Sequence, residues 1–199
     1  TSTATAGVTL RGTPGGSGLN AAFFVMDGAE SNTYTGLTMV EDGAVLALEK
    51  TNGATAIAGD LTNSGRGVAI HADEQIADTS TVNLRGGTNF NLLFDSTETI
   101  DTLTDDGPDN EIFYIAGGGS LYVREGSIQA EIRAGGVSQN VFGQKGNGTV
   151  TLLNPDSRLG LTTVDGGSLR IGVDVADSGT GMRILSNGST LSYGNGVEL

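Results

Sequence analysis

The chain has 199 residues, a formal net charge of −13 at pH 7 and a sequence pI near 4.2. Glycine takes 33 positions and cysteine none, which excludes disulfides, thiolate zinc sites and cysteine nucleophiles. The acidity opposes a phosphate backbone, so nucleic acid is not an expected partner. No apolar run approaches the roughly 18 residues of a membrane helix, so no membrane insertion is expected.

In chain order, residues 1–10 alternate cleanly and place Ala4, Ala6, Val8 and Leu10 on one face. Pro14-Gly15-Gly16-Ser17-Gly18 then reads as a flexible hinge. Residues 1–18 are therefore an N-terminal strand and hinge. The strand either caps its own domain or is donated to a neighbouring subunit.

Residues 19–199 read as one all-β domain. Short alternating runs recur: Ala44-Val45-Leu46-Ala47-Leu48, Thr81-Val82-Asn83-Leu84, Ser120-Leu121-Tyr122-Val123, Ser127-Ile128-Gln129-Ala130-Glu131-Ile132, Thr149-Val150-Thr151-Leu152 and Ser168-Leu169-Arg170-Ile171. Period two turns one set of side chains inward and the other to water. Asp42-Gly43, Asn52-Gly53, Asp106-Gly107, Asn147-Gly148 and Asp165-Gly166 punctuate the runs with residues that accept positive φ.

Internal similarity chooses among the all-β architectures. Gly36-Leu37-Thr38-Met39-Val40-Glu41-Asp42-Gly43-Ala44-Val45 aligns without gaps on Gly160-Leu161-Thr162-Thr163-Val164-Asp165-Gly166-Gly167-Ser168-Leu169, with the same residue at Gly36, Leu37, Thr38, Val40 and Gly43. Repeated units that cannot bury a face alone suit a stacked coil. The expected fold is a right-handed parallel β-helix of roughly 20 to 24 residues per coil and eight to ten coils.

Lys145-Gly146-Asn147-Gly148-Thr149-Val150-Thr151-Leu152, followed by Gly160-Leu161-Thr162 and Gly166-Gly167-Ser168-Leu169, resembles the autotransporter-associated β-strand repeat. Asn32-Thr33-Tyr34-Thr35-Gly36-Leu37-Thr38 with Asp42-Gly43 resembles a second copy. Ile76-Ala77-Asp78-Thr79-Ser80-Thr81-Val82 resembles the spacer between copies. The resemblance implies a large secreted or surface-anchored bacterial protein with a β-helical stalk, and it implies no catalytic residues. Arg158-Leu159 departs from the first copy's Tyr34-Thr35, and residues 1–18 do not match the pattern.

Asp105, Asp106, Asp109 and Glu111 form the densest acidic loop. Its oxygen ligands make calcium the one candidate cofactor, although the spacing fits no standard calcium loop and a solvated turn explains it equally. His71 is the single histidine. Asp73-Glu74 and Glu98 with Asp101 are paired acids of the kind glycosidases use, but no basic or aromatic residues gather beside them. No catalytic residue is assigned, and the chain is not expected to be an enzyme. Lys50 and Lys145 stand near Asn52 and Asn147, a pattern open to an isopeptide crosslink or to simple strand capping. Tyr34, Tyr114, Tyr122 and Tyr193 could stack on sugar rings or fill coil corners.

At the far end Leu191, Tyr193, Val197 and Leu199 continue the alternation, and neither end carries a capping signature. Open coils expose unpaired backbone and apolar ladder ends. The expected role is a structural subunit or stalk segment of an extracellular filament, appendage or surface layer, joined head to tail to copies of itself. An adhesin or carbohydrate-binding module taking a surface glycan is the alternative, and a polysaccharide-active enzyme is the third.

Overall fold

The period-two runs become strands that pair in parallel with the strand one coil away. The computed structural model describes residues 6–13, 21–93, 95–115, 119–133, 140–172, 176–177, 182–184 and 190–193. Among them twenty strands form and no helix. In chain order they are β1 (Val8–Arg11), β2 (Phe23–Gly28), β3 (Thr38–Glu41), β4 (Val45–Lys50), β5 (Leu61–Asn63), β6 (Gly67–Ile70) and β7 (Thr81–Leu84). Next come β8 (Asn89–Leu93), β9 (Thr97–Asp105), β10 (Glu111–Ile115), β11 (Ser120–Ile128), β12 (Glu131–Arg133), β13 (Val141–Lys145) and β14 (Thr149–Leu152). The last six are β15 (Arg158–Leu159), β16 (Leu161–Asp165), β17 (Ser168–Ile171), β18 (Ala176–Asp177), β19 (Met182–Ile184) and β20 (Thr190–Tyr193).

The fold is a parallel β-solenoid, as the internal repetition predicts. One sheet runs β1-β3-β5-β7-β9-β11-β13-β16-β19, and the other runs β18-β15-β12-β10-β8-β6-β4-β2. Phe23, Val45, Gly67, Asn89 and Glu111 are successive partners in the second sheet, so each coil there is 22 residues, the spacing between those numbers. After the nine-residue β11, the long strand divides: β13 and β14 both pair with it, on either side of Gly146-Asn147-Gly148. β14, β17 and β20 continue the ladder that β7 forms with the second halves of β9 and β11, whereas β13, β16 and β19 continue the first halves of β9 and β11.

Among the described residues about six turns, from β3 round to β15, contribute strands to both sheets. This is slightly fewer than the expected eight to ten. That expectation divided the whole chain by a coil length, whereas the turns at both ends include stretches outside the described residues.

The inward residues stack in columns. Leu46, Val68, Phe90, Ile112 and Ile132 form one, and Leu48, Ile70 and Leu92 another, all at 1 % exposure or less. Such burial contributes on the order of 1.5–3 kcal/mol per large aliphatic or aromatic side chain. The predicted turns hold the positive φ their residues suggested: Asp42 and Gly43 at +52° and +76°, Asn52 and Gly53 at +58° and +74°.

The two matched ten-residue copies both enter the first sheet, as β3 and β16. They leave it differently. The first continues into β4 of the second sheet, and the second into β17, which stacks on β14.

Candidate functional site

Three features bear on function: the open turn at β1 and β2, the acidic loop at Asp105, and the buried polar groups that join one coil to the next.

β1 and β2 are the outermost strands of their sheets. Val8 pairs beside Thr38 and Leu10 beside Val40, so the N-terminal strand packs on its own domain. Inward Leu10, Phe24 and Met26 are only partly buried, although their partners Val40, Leu46 and Leu48 are wholly buried. These columns, sealed at the next coil, are thus only partly covered at this one. Met26 gains partial cover from Asn32 Nδ2 and the Tyr34 hydroxyl, each 3.8 Å from its sulfur. On the outward face of β2, Phe23 is 69 % exposed and Val25 54 %.

Of the other predicted interface residues, Ala6 is exposed. Leu191 and Tyr193 lie on β20 beside Leu169 and Ile171 of β17. Ala4, Val197 and Leu199 fall outside the described residues.

The acidic loop joins β9 to β10. Asp105 Oδ1 accepts the Gly107 N–H at 3.0 Å, and Oδ2 accepts that of Gln129, one coil on, at 2.7 Å. Partial burial pushes its carboxyl up from the ordinary aspartate value. Asp106 Oδ1 accepts from Asn110 Nδ2 at 3.0 Å and from Gly86 N–H at 3.1 Å, and the Asn110 bond holds that carboxyl down. Asp109 is exposed, and Glu111 pairs with Arg133 at 3.1 Å. Three of the four calcium candidates therefore face separate protein partners, and the fourth, Asp109, faces solvent. Among the described residues no three His, Asp or Glu side chains gather into a metal-holding group.

His71 lies 3.7 Å from Glu49 on the outward side of the second sheet. Lys50 Nζ donates to the Glu30 carbonyl at 2.7 Å, and Lys145 Nζ stands 5.6 Å from the Tyr122 ring centre. Tyr34 packs at a coil corner with its hydroxyl 2.9 Å from Thr38 Oγ1, and burial raises its pKa. Tyr122 faces outward between the buried Leu121 and Val123. The side chains of Tyr114 and Tyr193 fall outside the described set.

Sequence reading missed the coil-to-coil clips. Asn63, Gln75, Asn110 and Gln144 are wholly buried amides at coil corners. Gln144 Nε2 donates to the carbonyls of Arg124, Gly146 and Gly148, and its Oε1 accepts from Gly167 N–H, so it ties three consecutive coils. Gln75 Oε1 accepts the Lys50 N–H at 2.7 Å. Glu98, 23 residues after Gln75, reaches back in the same way to Gln75 and Ile76. The available signal was positional: each polar residue falls one coil length from the backbone it binds.

No family model, no curated protein and no solved structure matches the chain.

Proposed function

We propose that the chain is a structural rod segment of an extracellular filament, appendage or surface layer, in which coils continue from one copy to the next. One observation carries this reading: Leu10, Phe24 and Met26 are only partly buried at the first described turn, whereas their partners Val40, Leu46 and Leu48 in the next coil are wholly buried. A further solenoid turn is the surface that matches an open parallel edge, because it supplies both hydrogen-bonding strands and inward apolar residues. Contact between unlike ends without closure yields a linear polymer. The net charge of −13 limits sideways clumping of such rods. The resemblance to autotransporter stalk repeats supports the same role, and with it the secreted location.

The test is growth with concentration. Light scattering and negative-stain microscopy of the purified protein should show linear assemblies that lengthen as concentration rises. Phe24→Glu, which places a charge on the open column, should hold the protein at single copies. Single wild-type copies at high concentration would overturn the reading.

A second reading, glycan binding, draws on Tyr122. Its ring lies outward over Gly143, beside Lys145, as an aromatic surface on which a sugar face could pack. Retention of the wild type on a glycan array, lost in Tyr122→Ala, would select it.

A further inference from the structure

Glu98 is an acid in the apolar interior. It points inward from β9 at 0 % exposure and heads a column that continues as Leu121, Phe142 and Thr162. On its other side lies the corner of the preceding coil, residues 71–80. Glu98 Oε2 accepts the Gln75 N–H at 2.9 Å and Oε1 accepts the Ile76 N–H at 3.1 Å.

The corner replies in kind. Asp73 Oδ1 accepts the Thr97 N–H at 2.7 Å. Glu74 accepts from the Thr99 hydroxyl at 3.2 Å and the Thr99 N–H at 3.3 Å, with its own backbone held at φ +51°. Asp78 lies close enough for its charge to act on Glu74. Acids thus join these two coils in both directions.

The basic groups nearby are engaged elsewhere. Lys50, on the preceding coil, donates to the Glu30 carbonyl. Arg124, on the following coil, pairs with Asp101 at 2.5 Å, and His71 stands by Glu49. Among the described residues, the charges that act on Glu98 are those of Glu74 and Asp78.

We propose that this corner is an acid-strengthened joint: in mild acid Glu74 and Glu98 are neutralised and the two coils lock, and at neutral pH their negative charge, gathered beside Asp78, loosens them. Gln75 shows the neutral form of the same device. It accepts from Lys50 N–H and donates to the carbonyls of Lys50, Ala54 and Asp73 with no charge to bury.

Burial raises Glu98 well above the usual carboxylate range. Burial first, and then the charge of Asp78, raise Glu74. The sign follows. For an acid raised on folding, the stabilising contribution is full below the unfolded value and is lost as pH climbs through the folded one. The sensitive window therefore opens near the ordinary glutamate value of about 4.3 and extends upward.

Hydrogen exchange of the Gln75 and Ile76 amides, corrected for intrinsic rates, tests the joint at pH of about 4.5 and about 7.5. Protection should be about tenfold greater in acid, the change that one unit of pKa difference produces. Glu98→Gln should remove at least about half of that pH dependence. Equal protection at both pH values, greater protection at the higher one, or an unaltered pH dependence in Glu98→Gln would overturn the proposal. If Glu98→Gln fails to fold, carboxyl titration of the wild type by carbon-13 NMR decides. A Glu98 midpoint more than about one unit above about 4.3 upholds the joint, and a midpoint at or below that value overturns it.

Discussion

The ring of Tyr122 occupies the space that a side chain on Gly143 would need. A Cβ there would lie 2.4 Å from Tyr122 Cδ1 and 2.6 Å from Thr163 Oγ1. The three residues are successive partners in one outward row, on β11, β13 and β16. Without a side chain at Gly143, the tyrosine can lean along the stack and bury the Thr163 hydroxyl, which has no hydrogen-bond partner among the described residues.

Gly143→Ala should therefore cost about 1–3 kcal/mol, the usual range for overpacking. The cause is steric and local, so the cost should fall sharply in a Tyr122→Ala background. Urea unfolding of the two single variants and the double variant measures this coupling. An equal cost in both backgrounds would show that the tyrosine is not the obstacle.

Asn110 serves two coils at once. Its Oδ1 accepts the N–H groups of Gly87 and Thr88 at 3.1 and 3.0 Å, while its Nδ2 donates to Asp106 and to the Gly107 carbonyl. Asn110→Ala leaves the buried Thr88 N–H without that acceptor, and a loss of about 1–3 kcal/mol is expected. Asn110→Asp keeps the acceptor but removes the donor and adds a negative charge beside Asp106. It should be less stable than wild type, and the more so as pH rises. Thermal unfolding at several pH values separates the two variants.

Two phenylalanines on the second sheet should behave oppositely. Phe90 is wholly buried in the Leu46–Val68–Phe90–Ile112 column, and Phe23 is 69 % exposed on the edge strand. Phe90→Ala should cost about 3–5 kcal/mol from lost burial and the cavity left behind. Phe23→Ala should change stability by no more than about 0.5 kcal/mol, as exposed positions do. If the rods join through this end, Phe23→Ala will shift assembly to higher concentration. Calorimetry together with light scattering reads both effects.

The sequence disclosed what depends on local chemistry. Thr81-Val82-Asn83-Leu84, Thr149-Val150-Thr151-Leu152 and Ser168-Leu169-Arg170-Ile171 are strands β7, β14 and β17, and alternation suffices to identify each. Its failures depend on pairing across coils. Ser127 to Ile132 alternates without a break, yet the chain turns between β11 and β12, because Ile128 pairs with Leu152 on one face while Glu131 pairs with Glu111 on another. Glu98 has the ordinary look of a surface acid beside threonines. Its burial follows from the parallel register that puts Leu121 next to it, which no local pattern encodes. The amide clips were hidden for the same reason: Gln144 is informative only once Arg124 and Gly167 are known to be one coil away on either side.

Adjacent aspartates at the end of β9 should titrate in an order set by their surroundings. Asp105 is half-buried, and the loss of water raises its carboxyl despite the N–H groups it accepts. Asp106 is exposed, and the hydrogen bond from Asn110, with that from Gly86, lowers its own. As pH rises, Asp106 should ionise first. The linkage signs are opposite. The stabilising contribution of Asp105 is full below its unfolded value of about 3.9 and declines as pH rises through its folded value. That of Asp106 is present above about 3.9 and is lost as pH falls through its folded value, and its exposure keeps it small. Carbon-13 NMR of the two side-chain carboxyls resolves the order directly, and Asn110→Ala should bring the midpoints closer by raising Asp106. Ionisation of Asp105 ahead of Asp106 would contradict the hydrogen-bonding account of the loop.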